Sequence, residues 1–316
     1  TMVYRTQSDL IPPLILLLQG PVGPFFGHLR QAFEQQGCKV LKINFNAGDW
    51  LSCRGRSTLN FNGSPQAFGD WLATFLQRSR PAAIVLFGDS RAYHRVAIAA
   101  AARSDIPVWC LEEGYARPHF VTCELGGNNG RSPLRRAFEG EQRGASRALR
   151  PTKPVTGNLF RAMALHATAY TVAKAPGAPF FLSNTFHRNR GLLSEALLWS
   201  RGFCRKILSY HANQSFLQHL IEHCEKRYFV VALQVHDDLH LLHHGRGWTM
   251  ERLITETVQS FARHADAGHR LVLKVHPMDR GHRSYRAFAN RLAALSGCPD
   301  RIHVVDSIVL GDAPSP

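Results

Sequence analysis

Short apolar runs alternate with segments of helical length along much of this 316-residue chain, and this alternation constrains the fold more than any other feature. In the first half, strands are predicted at 14–18, 40–44, 84–87 and 108–111, and helices at 25–36, 65–78 and 90–103. Strands joined by helices of ten or more residues are typical of a parallel sheet. The sequence therefore predicts an α/β fold.

The same alternation returns in the last third of the chain, after a region of different composition. Strands are predicted there at 229–233, 271–275 and 302–305, and helices at 250–267 and 285–295. The stretch 128–154 between the two units is rich in arginine and poor in large apolar residues. We therefore expect two Rossmann-like domains, at 1–150 and 228–316, joined by a helical, basic region at 151–227.

Acidic residues follow two of the predicted strands of the first domain. Asp89 comes directly after the run 84–87, and Glu112 and Glu113 come after 108–111. Parallel α/β sheets bind their ligands at the carboxyl ends of the strands, so these side chains indicate a site for a polar substrate. The alternative for Asp89 is that it caps the helix that follows.

Glycines accompany these turns. Gly88 and Gly114 lie beside the acidic residues, and Gly20 and Gly23 lie in the polar loop after the first strand. A glycine lets the backbone approach a ligand closely, and we predict that these loops contact substrate. A second polar loop is predicted at 46–50.

The chain is strongly basic, with a formal net charge of +15. Such an excess indicates an anionic partner, for which the candidates are nucleic acid, a lipid surface and a phosphorylated substrate. The basic residues are spread out, and the sequence carries no recognised nucleic-acid-binding signature, so no nucleic-acid partner is predicted. Seven cysteines without a C-x-x-C pair indicate reduced thiols in a cytoplasm and no zinc site.

Several uncommon strings, in order, resemble the capsule polysaccharide biosynthesis and export family (KpsS/LipA type, related to KpsC/LipB). The strings are LQGPVGPFF at 18–26, INFNAGD at 43–49, FGDSR at 87–91, EEGYARP at 112–118, ELGGNNG at 124–130, LQ at 233–234 with Asp237, and KVHP at 274–277 with DRG at 279–281. The resemblance implies a GT-B-like glycosyltransferase with its nucleotide sugar between two domains. It further implies a retaining Kdo transferase that uses CMP-Kdo as donor and needs no cofactor.

The resemblance also implies that the partner is an anionic lipid acceptor of the phosphatidylglycerol type or a lipid-linked glycan. It further implies that the protein interacts with capsule assembly and export proteins. Members of the family continue beyond the last predicted strand with a further nucleotide-binding loop, whereas this chain ends soon after Val305. The second domain is therefore expected to be truncated. The alternative function is a non-catalytic or inactive component of the assembly machinery that binds lipid-linked glycan.

Retaining transfer needs a carboxylate nucleophile or ion-pair partner and a base for the acceptor. We predict Glu113 as the nucleophile, with Asp89 or Glu112 as base or orienting group; salt bridges to Arg91 or Arg117 are the structural alternative for the two glutamates. Because Kdo and its nucleotide carry a carboxylate and a phosphate, clamping arginines are expected. The candidates are Arg91, Arg117 and Arg131.

In the second domain, we predict a nucleotide phosphate site at His276 and Pro277, with Lys274 adding positive charge. Gln234 and Asp237 are candidates for binding ribose or sugar hydroxyls. Four nearby histidines resemble metal ligands by number, but they lie in a predicted polar loop, and we interpret them as surface residues, so no metal is predicted. They are His236, His240, His243 and His244.

The segment 192–205 has apolar residues at helical spacing among basic ones. It is either a basic amphipathic helix at a membrane surface or a solvated helix packed on its own domain. The resemblance favours a peripheral protein on the cytoplasmic face of the inner membrane, where anionic headgroups attract Lys and Arg. The residues predicted for that face are Arg188, Arg190, Arg201, Arg205 and Lys206.

Overall fold

A computed structural model describes residues 11–114, 120–134, 159–174, 192–224 and 227–306 of the chain. The chain forms two units, residues 1–189 and 190–316. The boundary lies inside the region 151–227 that the sequence predicts as a connection. Within that region, the helix at 159–174 packs on the first unit and the helix at 192–223 packs on the second.

The first unit is built on a six-stranded sheet with the order β3-β2-β1-β4-β5-β6. Its strands are β1 (Leu14–Leu17), β2 (Lys39–Asn44), β3 (Thr58–Asn60), β4 (Ala83–Phe87), β5 (Val108–Glu113) and β6 (Val121–Leu125). The first five are parallel and β6 is antiparallel to β5. This is the strand order of Rossmann folds, in which the chain reverses direction across the sheet between β1 and β4.

Helices cover both faces of this sheet. They are α1 (Phe25–Gln35), α2 (Ala47–Ser52), α3 (Pro65–Ser79), α4 (Ala92–Ala102) and α5 (Leu159–Lys174). One core, which includes Leu16, Ile84 and Leu86, packs against α3 and α4. The other, which includes Leu17 and Val85, packs against α1. Alternate residues of the same strands thus serve opposite cores, as the pleat of a strand requires.

Three elements of this unit differ from the sequence prediction. Residues 46–50, expected as a polar loop, form most of α2, because the Asn46 side chain accepts a hydrogen bond from Asp49 N and caps the helix. Strand β3 is only three residues long, and β6 pairs at the edge of the sheet. Short edge strands bury little apolar surface, so their sequences carry only a weak pattern.

The second unit has a three-stranded parallel sheet among its described residues, with the order β7-β8-β9. Its elements are α6 (Leu192–His223), β7 (Tyr228–Ala232), α7 (Leu239–His244), α8 (Met250–His264), β8 (Arg270–Lys274), α9 (Arg286–Leu295) and β9 (Ile302–Val305). Helices α8 and α9 bury Ile254, Val258 and Ala289 against one face of the sheet. The predicted α/β class, with two Rossmann-like units, is confirmed.

Helix α6 behaves differently in its two halves. Its C-terminal half packs Leu217 and Leu220 against Val272 and Val305 on the second face of the sheet. Its N-terminal half is held by Arg205, whose guanidinium donates to the carbonyl oxygens of Arg280 and Arg283 at 2.7 and 2.9 Å.

Candidate functional site

The first unit gathers polar side chains where β1 and β4 end and the strand order reverses. The turn after β4 contains Gly88, whose φ of +78° is a left-handed conformation that favours glycine. Gly20, after β1, lies against the ring of Phe26 so closely that any side chain would collide with it. Loops at such a reversal point border the crevice in which α/β proteins bind ligands.

Arg91 joins the two loops across this reversal point. Its Nη1 donates to Gln19 Oε1 at 2.8 Å and to the carbonyl oxygen of Gly20 at 3.1 Å. Burial lowers the pKa of Arg91, and the negative groups nearby, including Asp49 and Glu112, raise it again. The guanidinium thus sits in a partly buried position, where its charge interacts with those of Asp49 and Glu112.

A buried network behind Arg91 holds the loop after β1. Gln19 Nε2 donates to both carboxylate oxygens of Asp49, at 2.9 and 3.0 Å. The Tyr170 hydroxyl of α5 donates to Asp49 Oδ1 at 2.7 Å, and Phe45 N donates to Oδ2 at 3.0 Å. Asp49 therefore connects the ends of β1 and β2 with α2 and α5. It lies in the family string 43–49, but the sequence analysis assigned it no role.

Asp89 lies completely inside the protein, with no exposed surface. Ser90 Oγ donates to its Oδ1 at 2.7 Å, and Asn128 N donates to its Oδ2 at 3.2 Å. Arg131 Nη1 lies 3.8 Å from the same Oδ2. Asp89 does not cap α4, since Arg91 occupies the N-cap position without a side-chain hydrogen bond. Its carboxylate instead holds the segment after β6 against the turn after β4.

Glu112 and Glu113 are the last two residues of β5 rather than the first two of a loop. Adjacent residues of a strand point to opposite faces. Glu112 is half-buried on the Arg91 side, and a Cβ placed on Gly88 would lie 3.4 Å from its Oε2. Glu113 is exposed, on the face that carries Leu111. The structure thus brings Glu112, Arg91 and Gly88 together, and it places Glu113 on the opposite face of β5.

The remaining predicted residues of the first unit are placed as follows. Arg131 pairs with Asp89 in a 3₁₀ turn (Asn129–Arg131). Gly23 adopts a φ of +106° beside His166 of α5. Gly114 N donates to the carbonyl oxygen of Phe120 at 2.9 Å. Arg117 lies outside the described residues, as do Arg188 and Arg190.

His94 is a buried residue of this region that the sequence predictions missed. Its Nδ1 lies 2.6 Å from the carbonyl oxygen of Gly88, and because a carbonyl can only accept, this nitrogen carries the proton. Burial, followed by the charge of Arg91, lowers the pKa of His94 to about 3. A neutral imidazole of α4 thus holds the turn at Gly88 by a hydrogen bond to its carbonyl oxygen.

In the second unit, Lys274 is the last residue of β8 and His276 follows it. Met278 N donates to His276 Nδ1 at 3.2 Å, so the proton of the neutral ring is on Nε2. Burial lowers the pKa of Lys274, and the neighbouring charge of Arg280 lowers it further. Pro277 and Gln234 are exposed and Asp237 is half-buried. The edge of this sheet therefore carries positive charge that an anion would stabilise.

His236 corrects the interpretation of the histidine cluster as surface residues. Its Nδ1 lies 2.5 Å from Asp279 Oδ1, and Asp279 is completely buried. The segment that follows is helix α7 rather than a loop, and it contains His240, His243 and His244. Within the described ranges, no group of three or more His, Cys, Asp or Glu residues is arranged to hold a metal ion.

The chain is thus a protein of two α/β units, each with charged side chains at the carboxyl edge of a parallel sheet. The family model described as capsule polysaccharide biosynthesis protein matches residues 82–311. The chain is 32% identical over 293 residues to the capsule polysaccharide export protein KpsS of Escherichia coli, covering 93% of this chain and 75% of KpsS. It belongs to the capsule polysaccharide biosynthesis protein family.

A second relative is the capsule polysaccharide modification protein LipB of Neisseria meningitidis serogroup A. It is 32% identical over 277 residues, which cover 86% of this chain and 66% of LipB, slightly under two thirds of that protein. A solved structure of UDP-GlcNAc 2-epimerase from Methanocaldococcus jannaschii aligns with 95% of this chain and 74% of that one. Its identity of 11% and TM-score of 0.28 are too low to support a conclusion about function.

Proposed function

We propose that the protein is a sugar-nucleotide-dependent glycosyltransferase of capsule assembly, which transfers Kdo from CMP-Kdo to an anionic lipid acceptor of the phosphatidylglycerol type. The family membership supports work on capsule polysaccharide, as do the relatives named for its export and modification. The observation that carries the enzymatic part is the closeness of Glu112, at the end of β5, to Arg91, which joins the two loops at the reversal point of the first sheet.

Glu112 is our candidate for the carboxylate that acts on substrate. It is the half-buried acid at that edge, whereas Asp89 has no exposed surface and uses both oxygens within the protein. A carboxylate that faces a substrate crevice beside a guanidinium is placed to act as a nucleophile or ion-pair partner. Glu113, the nucleophile predicted from the sequence, stays the competing candidate.

The second unit supplies the anion site for the donor. Lys274 and Arg280 are both partly buried, and Arg280 lies close enough to Lys274 for its charge to lower the pKa of the lysine in addition to burial. A bound phosphate would offset the repulsion between these two cations by supplying negative charge and hydrogen-bond acceptors to both. The CMP phosphate and the Kdo carboxylate both carry the charge that this edge attracts, and Gln234 and Asp237 are proposed for the hydroxyls.

The segment 192–210 of α6 supports attachment to an anionic bilayer. Seven large apolar residues there are exposed, from 48% for Tyr210 to 82% for Leu193 and Leu208. They are Leu193, Leu197, Trp199, Phe203, Ile207, Leu208 and Tyr210. At 3.6 residues per turn they span about half of the helix circumference. We refer to these seven residues as the apolar face of α6.

The charges around this face match a membrane with anionic headgroups. Arg201 and Lys206 lie at its two borders, about 20° beyond the outermost apolar residues on a helical projection, and the sequence 196–210 contains no acidic residue. Aromatic rings on the apolar side and cations at the borders are the pattern of helices that lie in the interface plane. No helix in the described ranges is both long and apolar enough to cross a bilayer.

Sedimentation with vesicles tests this attachment. The full chain should bind vesicles of phosphatidylglycerol and phosphatidylcholine more tightly than vesicles of phosphatidylcholine alone, and Leu208→Glu should weaken binding at least about tenfold. Leu295→Glu is the matched control, because Leu295 is 80% exposed at the end of α9. Equal binding by both variants, or a dimer that only Leu208→Glu dissociates, would contradict membrane attachment through this face.

The enzymatic proposal is tested with purified protein, CMP-Kdo and lyso-phosphatidylglycerol, with the product detected by mass spectrometry. Glu112→Gln should lower the turnover by about 10²- to 10⁴-fold. Glu113→Gln is the matched neighbour, and Asp70→Asn on the exposed side of α3 is the surface control. Loss of activity in Glu113→Gln alone would restore the assignment made from the sequence. The absence of product from the wild-type chain, with lipid-linked glycan still bound, would favour a non-catalytic component.

A further inference from the structure

The His236–Asp279 pair is a short polar contact, with one buried partner, at the carboxyl edge of the second sheet. Asp279 accepts at Oδ1 from His236 Nδ1, at 2.5 Å, and at Oδ2 from the Tyr285 hydroxyl, at 3.1 Å, and from His236 N, at 3.3 Å. The carboxylate has no exposed surface, whereas 17% of the histidine side chain is exposed. A buried anion thus holds an imidazole whose outer edge reaches solvent.

The contact fixes the orientation of the ring. With Nδ1 directed at Asp279, the ring nitrogen left for a ligand is Nε2. In the imidazolium form both nitrogens are donors, so Nδ1 can stay on the carboxylate while Nε2 donates to an anion.

The position of His236 relates it to the other groups of this edge. It lies four residues after β7, and Asp279 lies five residues after β8, so their contact joins the loops of two neighbouring strands. The loop after β8 also carries His276, whose Nδ1 accepts from Met278 N, which places the proton of its neutral ring on Nε2. Lys274 ends the same strand.

We propose that His236 is a phosphate-binding residue for a nucleoside monophosphate group, with Asp279 and Tyr285 as its positioning residues. The ligand class follows from the donors, since imidazole N–H groups and an ammonium suit the oxygens of a phosphate. This inference rests on the proposed function, which identifies the ligand as the CMP part of the donor. It adds to that function a residue that neither the family strings nor the sequence pattern assigned.

Isothermal titration of the full chain with CMP, UMP and cytidine tests the inference. Loss of one charge-assisted hydrogen bond should weaken CMP binding about tenfold or more in His236→Gln, with cytidine binding unchanged. Asp279→Asn should give the same phosphate-selective loss, which a merely structural role would not produce. His243→Gln, an exposed change on α7, should leave both affinities as they are.

The outcomes separate this inference from the proposed function. Unchanged CMP affinity in His236→Gln, or equal weakening of CMP and cytidine, would overturn the role of His236 while leaving a CMP-dependent enzyme intact. If the wild-type chain binds UMP but not CMP, and His236→Gln weakens UMP selectively, the phosphate site stands and the CMP-Kdo assignment falls. If the wild-type chain binds neither nucleotide, both fall.

Discussion

Replacing His94 by asparagine should remove a loss of stability that the first unit undergoes in mild acid. Burial, followed by the charge of Arg91, lowers the pKa of this histidine from 6.5 to about 3. The unfolded chain therefore binds a proton below pH 6.5 that the folded unit refuses until about pH 3. The stability of the first unit is therefore unaffected by His94 above pH 6.5, and it decreases steadily as the pH falls from 6.5 towards 3.

The magnitude follows from the size of the shift. Each pH unit in that window costs about 1.4 kcal/mol, so at pH 4.5 the neutral histidine destabilises the first unit by about 2.7 kcal/mol relative to neutral pH. Asparagine is the chosen replacement because its amide nitrogen takes the place of Nδ1 and can still donate to the carbonyl oxygen of Gly88, but it does not titrate.

Urea unfolding at pH 7 and pH 4.5, followed by pulsed hydrogen exchange of peptides from β1 and β4, measures the stability of the first unit alone. Between the two pH values the wild-type chain should lose about 2.7 kcal/mol more than His94→Asn. His28→Asn, an exposed change on α1, should behave like the wild-type chain. An equal loss in the wild type and in His94→Asn would refute the reasoning, because it would mean that His94 does not stay neutral on folding.

Three further predictions concern the packing around the two sites. Gly88→Ala should cost about 1–2 kcal/mol of stability in the first unit, measured by the same urea experiment, since a φ of +78° strains any residue with a Cβ. Tyr170→Phe should cost about 1.5–3 kcal/mol by removing a hydrogen bond to a buried carboxylate, and amide exchange in α5 should speed up. Gly281→Ala should destabilise the second unit by about 1–3 kcal/mol and lower its melting temperature, because the new methyl group would overlap the Leu198 carbonyl oxygen. Gly268→Ala should leave the melting temperature unchanged, because the new methyl group would contact only the guanidinium of Arg227.

The sequence was sufficient for the fold class because the fold class depends on a strong, local signal. The strands β1, β4 and β5 are short apolar runs, and helices α3, α8 and α9 separate strands at the expected spacing. Burial on both faces of a parallel strand makes such runs continuous and easy to recognise. The edge strands β3 and β6 gave no comparable signal.

The geometry of the site was less predictable because it depends on contacts between distant residues. The network of Asp49 reaches 30 residues back to Gln19 and 121 residues forward to Tyr170. His236 meets Asp279 across 43 residues. No periodicity or short motif reports such pairs. The end of β5 was also not predicted, because the strand continues two residues beyond its apolar run. This extension places Glu112 and Glu113 on opposite faces of the sheet, which a loop at the same position would not have done.

Burial separates the carboxylates that hold this protein together from those that can react. Asp49, Asp89 and Asp279 are each buried, and each accepts hydrogen bonds that fasten a loop beyond a strand end. Removing such a group leaves its donors unpaired and costs stability as well as any activity that depends on the loop. Loss of turnover in Asp89→Asn is therefore no evidence that Asp89 meets substrate, unless the melting temperature is unchanged. Glu112→Gln should show the opposite combination, an unchanged melting temperature with little remaining turnover, because this side chain is only half-buried and lies at the open edge of its strand.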